Sequence, residues 1–315
     1  MSRVRAVVYN HNYEAAWDEF VQNAKNKHFF FYRKYMEYHS DRFNDLSLMF
    51  INDKDKIVAL LPASRHDNTL ISHGGLTFGG VLSNESMSTE LMLEIFNELY
   101  KFCKEKRIIK LLYKCMPYIY YKYPSEEEKY ALFIHNAKLI RRDVSTTIYL
   151  PCRYKYKKLR KRMINKAHNN GVEVKESKNF SAFIDLVNSV LSKYHNTSAV
   201  HTGAELELLA SRFPKNIHLY IAELNGELLA GTVVFENDDV VHTQYLANSD
   251  KGRALGALDC VIDYLVTEKY AKSTYLDFGI SNEQQGRYLN KGLIEQKEGF
   301  GARAVVHDFY EWDIE

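Results

Sequence analysis

The stretch LYIAELNGELLAGTVVFENDDVVHTQYL, residues 219–246, carries the same hydrophobic pattern as LMFINDKDKIVALLPASRHDNTLISHGG, residues 48–75. The two stretches align without a gap at an offset of 171 residues, with turns on turns and apolar positions on apolar positions. Each predicts a β-hairpin and a third strand, because apolar runs flank a polar turn, NDKDK or LNGE. Few positions are identical, and unrelated hairpins can also agree in pattern, so this alignment alone does not establish a repeat.

The elements around the two stretches follow one order in both halves of the chain. Two predicted helices precede each hairpin, and a long helix and a further strand follow the third strand. A shared order of this length favours a repeat over chance agreement. The order resembles that of the GNAT acyltransferase fold. The sequence therefore predicts an α/β protein of two tandem GNAT-like modules, with mixed sheets flanked by helices and a cleft between the modules.

Length and composition agree with a globular protein of two domains. The chain has 315 residues, 46% of them hydrophobic and 26% charged, with a net charge of +2. Such a small net charge gives no reason to expect DNA as a partner. The four cysteines lack metal or redox spacing, which favours a reducing compartment and no metal. Because no apolar run has the length of a membrane span or a signal peptide, we expect a cytoplasmic protein.

The position after the third strand matters chemically in a GNAT module. There, the third strand and the strand after the helix run parallel and then splay, so an amide-bearing arm such as pantetheine can pair with the free backbone. A Q/R-x-x-G-x-G/A loop at the helix start holds pyrophosphate. KGRALGALD, residues 251–259, matches this loop at Arg253 and Gly256 but has Leu258 at the sixth position.

The second half therefore predicts an acyl-CoA site, with Gln244 and Tyr245 on the splayed strand lining the acyl group. An ordinary helix start is the alternative interpretation of Arg253 and Gly256.

The corresponding stretch of the first half is SHGGLTFGGV, residues 72–81, followed by LSNESMST. Glutamates near that helix start would repel a pyrophosphate, so we do not expect a phosphate loop here. The glycines either permit a bulge or sharp turn or allow close approach of an acceptor substrate. In the second case His73 lies at the rim of the acceptor site, beside Gly74 and Gly75.

The C-terminal stretch YLDFGISNEQQGRYLNKGLIEQKEGFGARAVVHDFYE, residues 275–311, resembles the end of the Fem-type tandem GNAT acyltransferases. That family has a strand ending in Asp-Phe-Gly, then Gly-x-x-x-Phe-Lys-x-x-Phe-Gly and a final strand. The matching residues here are Asp277, Phe278, Gly279, Gly292, Lys297, Phe300 and Gly301. Gln296 replaces the usual Phe. LRKRMINKAHNNGVEV, residues 159–174, is similar to a basic helix of the same family.

The resemblance implies a domain division and two catalytic residues. The first domain, on the acceptor side, covers residues 1–150 and is completed by 303–315; the second, on the acyl-donor side, covers 151–302. Lys297 is implied to stabilise negative charge on the transferred acyl group, with a surface lysine as the alternative. Asp277 can take a proton from the acceptor or simply cap the following loop.

The run RYKYKKLRKRMINK, residues 153–166, holds eight Lys or Arg. Arg160 and Lys166 are its most family-like positions, and we assign them to the acceptor. Such a run can hold a nucleotide diphosphate, an undecaprenyl-type lipid phosphate or tRNA. A solvated basic helix is the alternative.

No Ser/His/Asp order, Walker loop or zinc spacing is present, which favours direct acyl transfer without a covalent enzyme intermediate. The predicted function is transfer of an acyl group, acetyl among the candidates, from acyl-CoA to an amine or hydroxyl. The acceptor would be a sugar, nucleotide-sugar or lipid-linked precursor of the cell envelope or of a polysaccharide. Two alternatives stay open: a Fem-type aminoacyltransferase that uses aminoacyl-tRNA, and a non-catalytic GNAT-like binding protein.

Overall fold

The computed structural model of the protein describes residues 4–314. The chain divides into two compact units. The first comprises Met1–Asp143, Gln284–Arg287 and Val306–Glu315, and the second comprises Val144–Glu283 and Tyr288–Val305. None of the described helices combines the length and the apolar character needed to cross a membrane.

Helices and strands alternate along the chain. The strands are β1 (Arg5–Val8), β2 (Asn44–Asp45), β3 (Leu48–Ile51), β4 (Ile57–Leu61), β5 (Ser64–His66), β6 (Thr69–Ile71), β7 (Leu82–Ser83), β8 (Lys110–Lys114), β9 (Lys138–Tyr149), β10 (Glu173–Ser177), β11 (Ile217–Leu224), β12 (Glu227–Asn237), β13 (Val240–Asn248), β14 (Tyr275–Ile280), β15 (Asn282–Glu283), β16 (Tyr288–Leu289) and β17 (Arg303–Asp313). The α-helices are α1 (Glu14–Asn23), α2 (Arg33–Met36), α3 (Thr89–Glu105), α4 (Glu127–Ile134), α5 (Lys158–Asn169), α6 (Phe180–His195), α7 (Gly203–Arg212), α8 (Asp250–Leu255), α9 (Ala257–Tyr264) and α10 (Lys291–Glu298).

The first unit contains an antiparallel sheet in the order β1-β3-β4-β7, and a run of strands in the order β17-β8-β6-β5-β2. The predicted hairpin is present, because β3 and β4 pair from Leu48–Leu61 onward across the NDKDK turn. Helix α3 begins at the Ser88 side chain, which caps the Leu91 N–H. Its apolar face, with Phe96, packs into a core that includes Trp312 of β17.

The second unit is built on strands in the order β10-β11-β12-β13-β14-β9. The β11–β12 hairpin turns at Asn225 and Gly226, both in the left-handed region that the tight turn requires. Val261 of α9 is buried in the core of this unit, against Val241 and Leu276 of the sheet. Leu265, the residue after α9, lies in the same core. This packing fixes β13 and β14, which position the candidate site.

The repeat seen in the sequence is reproduced by strand pairing. In the first unit Thr69–Ile71 pairs in parallel with Lys110–Leu112. In the second unit Val240–His242 pairs in parallel with Tyr275–Asp277. Residues 69–71 plus the offset of 171 give 240–242, so the same three positions pair in both units. In both units the parallel pairing ends at the equivalent position.

In the first unit the chain itself occupies the opening beyond this pairing. The Gly79 N–H donates to the Lys114 carbonyl at 2.9 Å, and the Lys114 N–H donates to the Ser72 hydroxyl at 2.7 Å. The stretch SHGGLTFGGV therefore folds back along β8 instead of leaving that strand free. A Cβ at position 79 would lie only 2.3 Å from the Ser72 carbonyl oxygen, so this close approach requires glycine.

Because of this fold-back, His73 is buried and does not lie at the rim where the acceptor interpretation placed it. Its φ of +57° turns the chain out of β6, and its side chain is only 4% exposed. Gly75 packs against the Phe43 and His39 rings. Of the two interpretations of these glycines, the sharp turn is the one present, and His73 does not lie at an open rim.

Two predicted helices are interrupted. The stretch FYRKYMEYHSDRF, residues 31–43, forms the short α2 and a 3-10 turn at Glu37–His39, and the 3-10 turn Phe29–Phe31 precedes α2. Those three consecutive phenylalanines are all buried, and successive residues of an α-helix point about 100° apart, so one helix face cannot bury all three. The long helix predicted after the third strand of the second half, ALGALDCVIDYLVTEKY at residues 254–270, is broken at Gly256, whose φ is +82°, so α8 ends and α9 begins there.

We predict that Gly79→Ala destabilises the protein by about 2–4 kcal/mol, because the new methyl group would collide with the Ser72 carbonyl. The free energy of unfolding measured in urea checks this. Gly292→Ala is the matched control: its Cβ would meet only the Asn290 amide oxygen, at 3.9 Å, inside α10. The control should change stability by less than about 1 kcal/mol. Equal effects of the two changes would contradict the fold-back.

Candidate functional site

The candidate site begins where β13 and β14 part. Their last parallel pair is His242 with Asp277. Beyond it β13 stays paired with β12, through a bulge at Gln244: Val234 pairs with Thr243, and Val233 with Tyr245. The facing edges of β13 and β14 have no ladder partners beyond this point within the described sheet. An unpaired edge of this kind can accept an extended ligand.

A cavity of about 800 Å³ lies in the second unit, bounded by α5, β13, α9, the end of β14 and α10. This volume is within the range usual for small-molecule sites. Apolar side chains supply much of the wall, namely Leu159, Met163, Val190, Leu246, Leu258, Ile262, Leu293, Phe278 and Phe300. Charged side chains also line it, namely Lys157, Arg160, Arg253, Lys297, Asp259 and Glu295.

Lys297 lies in the wall of this cavity and is 5% exposed. It is carried by α10, which begins with the Asn290 side chain capping the Leu293 N–H. Its ammonium donates to the Gly279 carbonyl at 2.9 Å and the Ile280 carbonyl at 2.8 Å. Burial lowers the pKa of Lys297 to about 8, and the charge of Asp277 opposes this shift. A cation is thus held at the end of β14.

Asp277 is fully buried and is enclosed by donors. Its carboxylate accepts from the Ser145 and Thr147 hydroxyls and lies 2.8 Å from Nδ1 of His242. We expected Asp277 to face the cleft as a base. A carboxylate with no exposed surface and three hydrogen-bonding neighbours cannot meet an acceptor directly, so this geometry assigns it an orienting position.

Of the two residues predicted to form the donor-binding loop, Arg253 lies in the cavity wall and Gly256 lies at a helix contact. Arg253 lines the cavity and stacks on Tyr194, with its guanidinium carbon 4.4 Å from the ring centre. Gly256 instead allows helix contact, because a Cβ there would lie 2.3 Å from the Met163 carbonyl of α5.

Arg160, which we assigned to the acceptor, lines the same cavity as Arg253 and Lys297. It forms an ion pair with Asp259 at 2.8 Å. Burial raises the pKa of Asp259 to about 6, an effect that the Arg160 charge opposes.

Three comparisons with known proteins bear on this arrangement. Residues 152–288 match a family model described as an acetyltransferase (GNAT) domain. Across the whole chain, the fold is similar to that of FemX, with a TM-score of 0.68, 10% identity and 96% of each chain covered. The chain therefore shares the overall fold of FemX, and its second half matches a GNAT domain.

Two further solved structures are similar to this tandem GNAT chain. L-PGS from Bacillus licheniformis has a TM-score of 0.60 at 13% identity, covering 90% of this chain and 92% of that chain. A tandem GNAT protein from the clavulanic acid biosynthesis pathway has a TM-score of 0.53 at 8% identity, covering 99% of each chain. Comparison with curated proteins finds no match. The domain match covers residues 152–288, and the similarity of the whole chain to the three solved structures is one of fold.

The remaining predicted residues lie away from the cavity of the second GNAT module. The Tyr245 hydroxyl is 2.7 Å from Nδ1 of His201 and accepts from the His201 N–H at 3.2 Å. Neither Gln244 nor Tyr245 is among the residues that line the cavity. Lys166 borders a separate shallow depression on the outer side of α5.

His242 is the residue that the sequence analysis missed. Its significance comes from its register opposite Asp277, and those two positions are 35 residues apart in the chain. The offset of 171 places His242 opposite Ile71 of the first half, so the repeat itself gave no signal for a functional histidine.

We predict that Asp277→Ala costs about 3–5 kcal/mol of stability, because it leaves the Ser145 and Thr147 hydroxyls and the His242 ring without their shared partner. Thermal or urea unfolding measures this loss. Asp185→Ala, at an exposed position of α6, is the control and should lie within about 0.5 kcal/mol of the unchanged protein. An Asp277→Ala protein of unchanged stability would contradict the buried network.

Proposed function

We propose that this tandem GNAT protein transfers an acyl group from acyl-CoA to an amine or hydroxyl of a cell-envelope or polysaccharide precursor. One observation carries the proposal: a buried ammonium, Lys297, is bound at the end of a strand whose edge is free, in the wall of a large cavity. The cavity offers apolar and cationic surface together, which suits a pantetheine arm joined to phosphates.

In this proposal the pantetheine amides pair with the free edge of β13, because the Gly279 and Ile280 carbonyls of β14 already accept from Lys297. Arg253 and Lys157 have exposed side chains and face the phosphates in this proposal, and the Lys157 ammonium also lies 3.7 Å from the exposed Glu295 carboxylate. Arg160 is already paired with Asp259, so it contributes less net charge to a bound anion. The second module thus serves as the donor side.

Lys297 stabilises the charge that develops during transfer. A lysine ammonium has three N–H donors, and the Gly279 and Ile280 carbonyls take two of them. The third is available to the acyl oxygen, whose negative charge grows as the acceptor attacks. A fixed cation that is only 5% exposed is effective here, because little reorganisation is needed.

We predict that Lys297→Met lowers kcat for thiol release from acetyl-CoA in the presence of amino-sugar nucleotides by about 10²–10³-fold, the usual effect of losing one oxyanion donor. A thiol-reactive dye measures the released CoA. Lys272→Met, at an exposed position of the same module, is the control and should behave as the unchanged protein. Full activity of Lys297→Met would contradict the role of the ammonium.

The pH dependence follows from the lowered pKa of Lys297. Since the ammonium is the active form and its pKa is about 8, turnover should fall as the pH rises through about 8. A lysine of ordinary pKa would retain its charge across this range. We therefore expect an alkaline limb near pH 8 in the kcat profile. A profile that stays flat to pH 10 would contradict this assignment.

A second candidate donor is aminoacyl-tRNA. Within the run 153–166, Arg160 and Lys157 line the cavity. All Lys and Arg side chains of the run except Arg160 are exposed, namely Arg153, Lys155, Lys157, Lys158, Lys161, Arg162 and Lys166. Such a surface suits a nucleic-acid backbone, and binding to it should weaken steeply with salt. Turnover of charged tRNA, with no thiol release from any acyl-CoA, would favour this donor.

A further inference from the structure

We propose that His242 accepts the proton of the attacking acceptor, and that Asp277 positions the histidine ring for this step. The inference rests on the proposed acyl transfer and names the base for it. It stands on three observations: the His242–Asp277 contact, the position of His242 at the point where β13 and β14 part, and the proximity of both His242 and Lys297 to Gly279.

The contact with Asp277 fixes one tautomer of the ring. Nδ1 lies 2.8 Å from the buried carboxylate, so it carries the proton and donates. In the neutral ring Nε2 then has a free lone pair, which is the requirement for a base. Because Ser145 and Thr147 hold the carboxylate from the other side, the ring orientation is fixed before any substrate binds.

The outer edge of the ring is kept open by Gly279. Residue 279 has a φ of +73°, and a Cβ there would lie 3.2 Å from Cε1 and 3.9 Å from Nε2 of His242. The absence of a side chain leaves that edge accessible, and His242 remains 15% exposed at its side chain. The Gly279 carbonyl meanwhile accepts from Lys297. One residue therefore brings the base and the oxyanion donor to the same end of β14.

With an amine as the acceptor, the proposed transfer forms one carbon–nitrogen bond and breaks one carbon–sulfur bond. The amine nitrogen forms a bond to the acyl carbon, the acyl oxygen takes negative charge facing Lys297, and Nε2 of His242 takes the proton from nitrogen. The carbon–sulfur bond then breaks with its electron pair going to sulfur, and the resulting CoA thiolate takes a proton from the imidazolium. The products are an amide and free CoA, and His242 returns to its neutral form.

His218 provides a matched control because its burial and its contact with a carboxylate are similar to those of His242. It lies in the same module, is 16% exposed, and also contacts carboxylates. However, both of its ring nitrogens are engaged, Nδ1 at 3.1 Å from Glu176 and Nε2 at 3.7 Å from Glu236. His218 is therefore a structural histidine by this comparison.

The experiment compares His242→Gln and His218→Gln in full-length protein, with whichever donor the unchanged protein turns over, acetyl-CoA or charged tRNA. Two acceptor probes are used: an amino-sugar nucleotide, whose ammonium form must lose a proton before it can attack, and the more weakly basic hydroxylamine, which is already unprotonated at neutral pH. We expect His242→Gln to lower kcat with the amino sugar about 10²–10⁴-fold. The loss with hydroxylamine should be below about tenfold, and donor Kd should be unchanged.

Rescue gives a readout that a structural role would not produce. Added imidazole should restore part of the turnover of His242→Gly, measured with the amino-sugar acceptor, and should not affect His218→Gly. Asp277→Asn should lower kcat with little change of donor Kd. A His242→Gln protein that keeps full kcat with the amino sugar would overturn the base assignment alone. Failure of the unchanged protein to turn over either donor would overturn the proposed function, and the base assignment with it.

Discussion

The structure depends on how each module satisfies the backbone of two parallel strands after they part. Buried N–H and C=O groups need partners, so a free strand edge must be filled by chain or by ligand. In the first unit the chain fills it, since residues 72–81 return to β8 through the Gly79–Lys114 hydrogen bond. In the second unit β13 and β14 separate after His242 and Asp277, and a cavity lies beside their ends. The two halves share one scaffold and use this opening differently.

Two buried charged groups, the Lys297 ammonium and the Asp277 carboxylate, lie at the candidate site of the second unit. Lys297 is almost fully enclosed, and its ammonium is compensated by two carbonyls and by the nearby charge of Asp277. Asp277 is in turn compensated by two hydroxyls and His242. Each buried charge is therefore paired or hydrogen-bonded, as its cost of desolvation demands. The same compensation fixes the side chains before a substrate arrives, which is the condition for effective electrostatic stabilisation.

Particular residues show how far sequence reasoning reached at the site. Lys297 and Arg253 were predicted from local motifs as site residues, and both line the cavity. Arg160 was predicted to bind the acceptor and lines the same cavity, and that assignment stays a prediction, because a helix pattern does not tell which of eight basic residues turns inward. Asp277 was found as a base, although its partners Ser145 and Thr147 lie some 130 residues away and enclose it. His242 was missed because its contact with Asp277 depends on the register between β13 and β14, which the local sequence does not give.

The sequence by itself determined the tandem order, the two hairpins and the offset of 171 residues, since hydrophobic period and turn residues are local properties of the chain. The length of parallel pairing, the fold-back of residues 72–81 and the enclosure of Asp277 were decided only by tertiary structure. Each depends on atoms brought together from distant segments, such as Ser72 with Lys114 and His242 with Asp277. Local pattern carries no information on such pairs, because desolvation and hydrogen bonding act on the folded neighbourhood.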